Sequence, residues 1–160
     1  VYRKLGFEVT REFHYFVQKS SEVRPDEEQA GSRCSVRQIE PLAAAATEEF
    51  ADFAPSWQNS YESISRVPDH FVALGAYEED KMLGYIIIEP ASGDIPQFAV
   101  AREWRRNGIG SLLLREALRL NQSEIVKIVN ADIQCESITG FLKSKNIQVT
   151  GKQYEMIRNL

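Results

Sequence analysis

Apolar positions recur along this chain at two spacings, and the switches between them predict an ordered series of strands and helices. Alternating or β-branched and aromatic runs predict strands at 7–17, 35–39, 70–77, 82–89, 94–100 and 148–157, with a continuous apolar run at 125–129 that reads as a buried strand. Spacing near 3.6 predicts helices at 42–53, 56–67, 111–120 and 136–145, the first two stopped by Pro55 and Pro68. Residues 78–81 form the turn between two of the strands. The resulting fold class is mixed α/β, and from Cys34 onward its order is β-α-α-β-β-β-α-β-α-β.

Residues 105–111, Arg-Arg-Asn-Gly-Ile-Gly-Ser, sit between the strand ending Phe98-Ala99-Val100 and the helix at 111–120. Glycines at Gly108 and Gly110 permit a tight turn and close approach of main-chain N–H groups, and the following helix start adds partial positive charge. The segment therefore predicts an anion cradle suited to a pyrophosphate. A Walker loop would end in Gly-Lys-Ser/Thr, and a dinucleotide fingerprint would need a third glycine near Leu113; neither pattern is present.

The stretch resembles the acyl-CoA signature of the GNAT acyltransferase superfamily, Gln/Arg-x-x-Gly-x-Gly/Ala, with Arg105, Gly108 and Gly110 on its fixed positions and Phe98 to Trp104 matching the preceding strand and aromatic. The resemblance covers Cys34 to Leu160. It implies acetyl-CoA as cofactor, with the thioester and pantetheine beside Phe98, Ala99 and Val100, the pyrophosphate on Arg106, Asn107, Gly108, Ile109, Gly110 and Ser111, and Arg105 among the cofactor-binding residues.

The chain opens Val1-Tyr2-Arg3-Lys4-Leu5-Gly6-Phe7, which resembles the end of the last helix of such a domain. Lys4 in a last turn and Gly6 as a left-handed cap are its physical parts. Residues 1–10 also align with residues 141–150, sharing a residue able to adopt left-handed backbone (Gly6, Asn146) and a Val-Thr pair. The expected organisation is a tandem protein cut within its first domain. Residues 1–17 are the remnant of that domain, 18–33 a solvated linker rich in Ser, Pro, Glu and Gly, and 34–160 a complete second domain. The strand at 7–17 is expected to pair with a sheet edge, intramolecularly or in a homodimer.

Several function classes are set aside by composition and charge. A net charge of −4 opposes a nucleic-acid backbone as partner. The longest apolar run, residues 82–88, is too short to span a membrane. Two cysteines without metal spacing fit a reducing cytoplasm, and His14 and His70 have no partner at a recognised metal or triad spacing.

Acyl transfer to an amine calls for a base, and the resemblance to the histone-acetylating branch puts it four positions before Phe98, at Asp94. Glu89, ending the preceding strand, is the second candidate. Gln97 is a polar residue in an apolar strand that either faces an acceptor or satisfies a neighbour. Trp57 and Tyr61, four apart, are either core or part of the acceptor site. The family's acid, a tyrosine in the last helix, is replaced by Leu142, which has no proton to donate; Cys135, Ile138, Asn146 and Ile147 are further departures. The leading expectation is an acetyl-CoA-dependent N-acetyltransferase acting on a small-molecule or peptidic amine. The alternative is a non-catalytic acyl-CoA-binding or structural half of a tandem protein.

Overall fold

The computed structural model describes residues 2–25 and 34–158. Seven strands, β1 (Glu8–Lys19), β2 (Cys34–Ile39), β3 (Val72–Glu78), β4 (Lys81–Glu89), β5 (Asp94–Val100), β6 (Ile125–Asp132) and β7 (Val149–Ile157), form one sheet in the order β2-β3-β4-β5-β6-β1-β7. The α-helices are α1 (Tyr61–Ser65), α2 (Ile109–Leu120) and α3 (Glu136–Ser144). All strand pairs are antiparallel except β5–β6. Among the described residues no helix is long and apolar enough to cross a membrane.

Side-chain alternation divides the core between the two faces of the sheet. On β4, Ile86 and Ile88 join the cluster under α2 and α3, while Tyr85 and Ile87 join a second cluster with Phe50 and Ile64 on the opposite face. Both faces of β4 are covered, which explains its unbroken apolar run. Helix α2 buries Ile109, Leu113, Leu114 and Ala117, one stripe at helical spacing.

Three expectations change. The helix at 42–53 is a 3₁₀ helix, Pro41–Phe50, whose threefold winding puts buried Ala44 and Phe50 on one side. The helix at 56–67 is a short 3₁₀ turn, Trp57–Asn59, followed by α1. Ser60 interrupts it by capping α1, its Oγ accepting the Ser63 N–H at 3.2 Å.

The third change concerns the chain start. Strand β1 pairs within its own chain, one of the two arrangements expected, but it runs on through Lys19 and is hydrogen-bonded on both sides, to β6 and to β7. Pairing is therefore intramolecular, and β1 has no free edge for a partner molecule. Strands β6 and β7 meet only through it, so residues 34–160 do not close this sheet alone. Part of the expected linker is also structured: the Ser20 N–H donates to Glu124 O, the Arg24 N–H to Lys145 O, and Val23 is buried. The rest of that linker, residues 26–33, lies outside the described residues.

Candidate functional site

Strands β5 and β6 are parallel neighbours paired at a single point, Asp94 with Lys127. There the Lys127 N–H donates to Gly93 O at 2.8 Å, and Lys127 Nζ lies 2.9 Å from Asp94 Oδ1. Beyond that point the strands part, and the edge of β5 facing β6 carries main-chain groups without a strand partner. The gap is a cleft of about 640 Å³. Gln97, Phe98, Ala99 and Val100 line one wall, Ile128 to Ala131 the other, and Ile138 and Phe141 of α3 close it from one side.

The N-terminus of α2 stands at the mouth. Gly108, its N-cap, has φ +78°, a conformation that disfavours side chains with a Cβ. No side chain caps this helix, so the first-turn N–H groups of residues 109–111 have no intrahelical acceptor and carry the positive end of the dipole. A Cβ on Gly110 would come within 3.0 Å of the Phe141 ring, which packs edge-on against Phe98 with centroids 5.3 Å apart. Gly108, Gly110, Ser111 and Arg106 line the cleft, and Arg106 itself has φ +66°.

Three residues of the expected cradle contribute differently. Arg105 spends its guanidinium on the protein: Nε donates to Val100 O at 2.9 Å, Nη2 to Phe50 O at 3.0 Å and Nη1 to Asp52 at 2.9 Å. It fastens the segment at 50–52 to the end of β5. The Asn107 side chain donates to Trp104 O and Arg105 O, which shapes the turn. The Ile109 side chain is in the core, leaving only its main chain for a ligand.

Asp52 ties this end together by accepting from Ser137 Oγ at 2.6 Å and pairing with Arg105 and, at 3.3 Å, Arg102. Burial pushes its carboxyl pKa up, but Ser137, Arg105 and Arg102 together outweigh that and hold it below the usual carboxylate range.

Deeper in the cleft lies a chain of polar groups. Tyr61 Oη donates to Tyr85 Oη at 2.7 Å, Tyr85 Oη to Gln97 Oε1 at 3.1 Å, Gln97 Nε2 to Asn59 O at 2.7 Å, and Asn59 Nδ2 to Val129 O at 2.9 Å. Asn130, at φ +58°, donates from Nδ2 to buried Ser56 Oγ at 3.0 Å. These bonds lace the segment at 56–61 across both splayed strands.

The other expected site residues are placed as follows. Gln97 is on the cleft, and Tyr61 reaches it through Tyr85. Trp57 is 74% exposed and outside the lining, because the break at Ser60 turns it away from Tyr61. Asp94 and Glu89 are also outside the lining. Asp94 is held by Lys127, and Glu89 accepts from Ser92 Oγ and lies 3.4 Å from His70 Nδ1. Leu142 is fully buried in the core rather than facing the cleft, and Tyr154, on β7, is half exposed and away from it. Asp52, Asn59, Tyr85, Asn130 and Phe141 were not singled out from sequence. Tyr85 stands in an apolar run and Asn130 directly after one, and a polar group at such a place is the only local signal either gives.

Comparisons with known proteins agree with this geometry. Residues 36–135 match the sequence profile of the acetyltransferase (GNAT) family. A GCN5-related N-acetyltransferase from Sphaerobacter thermophilus superposes with a TM-score of 0.65 at 19% identity, over 98% of this chain and 55% of that one. One from Kribbella flavida gives 0.67 at 10%, over 97% and 61%. A tandem GNAT protein from the clavulanic acid biosynthesis pathway gives 0.65 at 16%, over 96% and 55%. The chain thus spans between 55% and 61% of the length of these structures. No curated protein matches by sequence. With the profile covering well over half of its length and the splayed strands meeting a glycine-opened helix, the chain belongs to the GNAT acetyltransferase family.

Proposed function

We propose that this domain transfers an acetyl group from acetyl-CoA directly to the amine of a small-molecule or peptidic acceptor. The observation that carries the reading is the parting of β5 and β6 beyond Asp94, with the uncapped start of α2 at the mouth. Acetyl-CoA supplies the activated thioester. The N–H groups of Gly108 to Ser111, with Arg106, would hold its pyrophosphate. The unpaired edge of β5 at Phe98, Ala99 and Val100 would take the pantetheine amides, and main-chain N–H groups there are suited to an oxyanion.

The acceptor end is built by Tyr85, Gln97 and Asn59, whose mutual bonds orient donors and acceptors toward the cleft. The carboxylates lining the cleft, Asp52 and Glu136, belong to the mouth, and Asp52 is fully engaged by Arg105 and Ser137. The acceptor therefore enters as free amine, the minor fraction of a group with an ordinary pKa of about 8 to 10. Turnover then rises with pH through the acceptor's own pKa. Asp94 and Glu89 act at most through solvent. Leu142 lies in the core and Tyr154 lies off the cleft, so the thiolate leaves without an acid from either position and is protonated from solvent, which also takes the proton the amine loses.

A second observation, that the carboxylates lining the cleft stand at its mouth and that Leu142 stands where a tyrosine acid is expected, favours the second reading, a half that binds acyl-CoA without turning it over. Thiol release from acetyl-CoA, measured against a panel of primary amines between pH 7 and pH 10, separates the two. Turnover that rises with pH supports the transferase. Saturable acetyl-CoA binding with no thiol release for any amine supports the binding half.

A further inference from the structure

The cleft passes through the sheet from one face to the other. Phe141 and Ile138 line it beside the cluster under α2 and α3, whereas Phe50 and Tyr85 line it from the second cluster, on the opposite face. The glycine-opened start of α2 belongs to the first opening, since Gly110 packs on the Phe141 ring. The second opening is bordered by the segment at 50–59. Its walls are the rings of Phe50, Phe53, Pro55 and Tyr85, together with the side-chain amides of Asn59 and Asn130.

Both asparagines are more than nine-tenths buried, at 5% and 8% exposure, and both are held through their nitrogen. Asn59 Nδ2 donates to Val129 O at 2.9 Å, and Asn130 Nδ2 donates to Ser56 Oγ at 3.0 Å. No described residue donates to either Oδ1. A side-chain oxygen in so buried a residue is as a rule paired, and with both residues on the lining the donor that fits them comes from the cleft. Charge on this side is already balanced. Arg11 pairs with Glu155 at 2.8 Å and donates to Ala54 O at 2.7 Å and Pro55 O at 3.3 Å, so it fastens the border to β1. Its hydrogen bond holds the Glu155 carboxyl below the usual carboxylate range. Asp52 is taken by Arg105 and Ser137, and Glu136 is exposed at the start of α3, on the other face.

We infer that the acceptor is a monoamine on an uncharged, apolar body, with its N–H groups received by Asn59 Oδ1 and Asn130 Oδ1 and its body seated among Phe50, Phe53 and Tyr85; this rests on the transferase reading and narrows it. A free amine has two N–H donors for these two oxygens and keeps its lone pair for the acyl carbon. Neutral amide oxygens hold the amine without favouring its ammonium form, as a carboxylate in their place would. A second ammonium carried into this chamber would lose its water and meet no free carboxylate, and a carboxylate would find Arg11 and Arg105 already engaged. Diamines, polyamines and amino acids are therefore the wrong chemistry, and alkylamines and arylalkylamines the right one.

The test compares n-hexylamine with hexamethylenediamine, which share a length and differ by one charged end. In thiol release from acetyl-CoA at pH 9, kcat/KM for n-hexylamine should exceed that for the diamine by at least ~30-fold, with phenethylamine in the range of n-hexylamine. A diamine within ~3-fold of n-hexylamine, or ahead of it, overturns the inference. Asn59→Ala should lower kcat/KM for n-hexylamine at least ~10-fold while acetyl-CoA affinity changes less than ~2-fold. Asn59→Asp, which keeps an acceptor oxygen and gives up the Nδ2 donor, should recover most of that loss. If it is as poor as Asn59→Ala, Asn59 only anchors Val129 and its part in the inference falls. The comparison of the two amines on the parent chain needs no variant to fold. Should no amine be turned over, calorimetry of both amines on the CoA-saturated chain decides. Binding of n-hexylamine without binding of the diamine keeps this inference while the transferase reading fails, and equal binding of the two, or none, overturns it.

Discussion

The two ends of the cleft are built from different materials. The mouth is made of main chain: uncapped N–H groups at the start of α2, a left-handed Gly108, and the unpaired edge of β5. The end proposed for the acceptor is made of side chains brought from four elements, with Tyr61, Tyr85, Gln97 and Asn59 in one hydrogen-bonded chain. On the proposed function, the difference means that affinity for the acyl donor is carried by backbone geometry, whereas selectivity for an acceptor rests on groups that only the tertiary fold assembles.

The sharpest way to break this contrast is Gly108→Val. A β-branched residue at φ +78° carries roughly 1–2 kcal/mol of backbone strain, which a shift of the turn that opens α2 would relieve. Acetyl-CoA affinity should fall by ~100-fold or more, as read by calorimetry, while the pH dependence of any residual turnover keeps its shape.

Tyr85→Phe probes the other end. It removes the hydroxyl between Tyr61 and Gln97 and leaves both bonds unmade, at a stability cost of about 1–3 kcal/mol. kcat/KM for the amine should drop ~10-fold, with acetyl-CoA affinity changed less than ~2-fold. Equal losses in both constants would show that the two ends are not separate.

Asp52 joins the mouth to the loop above it, and its depressed pKa gives a sign to the acid response. Its carboxylate contributes fully above the ordinary value of about 3.9, and the contribution is lost as pH falls through the lower folded-state value. Thermal unfolding followed from pH 6 downward should show a steeper loss below about pH 4 in the parent than in Asp52→Asn, which starts less stable.

The smallest effect is expected at Asp94→Asn. Losing a partly exposed ion pair with Lys127 costs about 0.2–1 kcal/mol, and turnover should change less than ~3-fold. A loss of ~100-fold would restore Asp94 as the base acting through water.

The same contrast explains what could be read from the chain. Strand β5 and the start of α2 were legible because their signals are local: an alternating run, two glycines and a helical stripe lie within twenty-odd residues. The caps at Gly6 and Asn146 were legible for the same reason, since only certain residues tolerate left-handed backbone. Tyr85 was hidden because a polar tip on an aromatic body does not interrupt an apolar strand. Trp57 and Tyr61 were read as neighbours on one helix, and they part because one serine, Ser60, ended one turn and capped the next, leaving Tyr61 in the hydrogen-bonded chain and Trp57 outside the cleft. The place of β1 between β6 and β7 could not be read at all, since strand order depends on contacts over more than a hundred residues of separation.

The central claim is that the mouth is an acyl-donor site made by the main chain. Calorimetric titration of the 160-residue chain with acetyl-CoA, and with CoA lacking the acetyl group, tests it most directly. The account predicts one site per chain with similar affinity for both ligands, lost in Gly108→Val and kept in Asp94→Asn. No saturable binding by the parent, or binding that survives Gly108→Val unchanged, would contradict it.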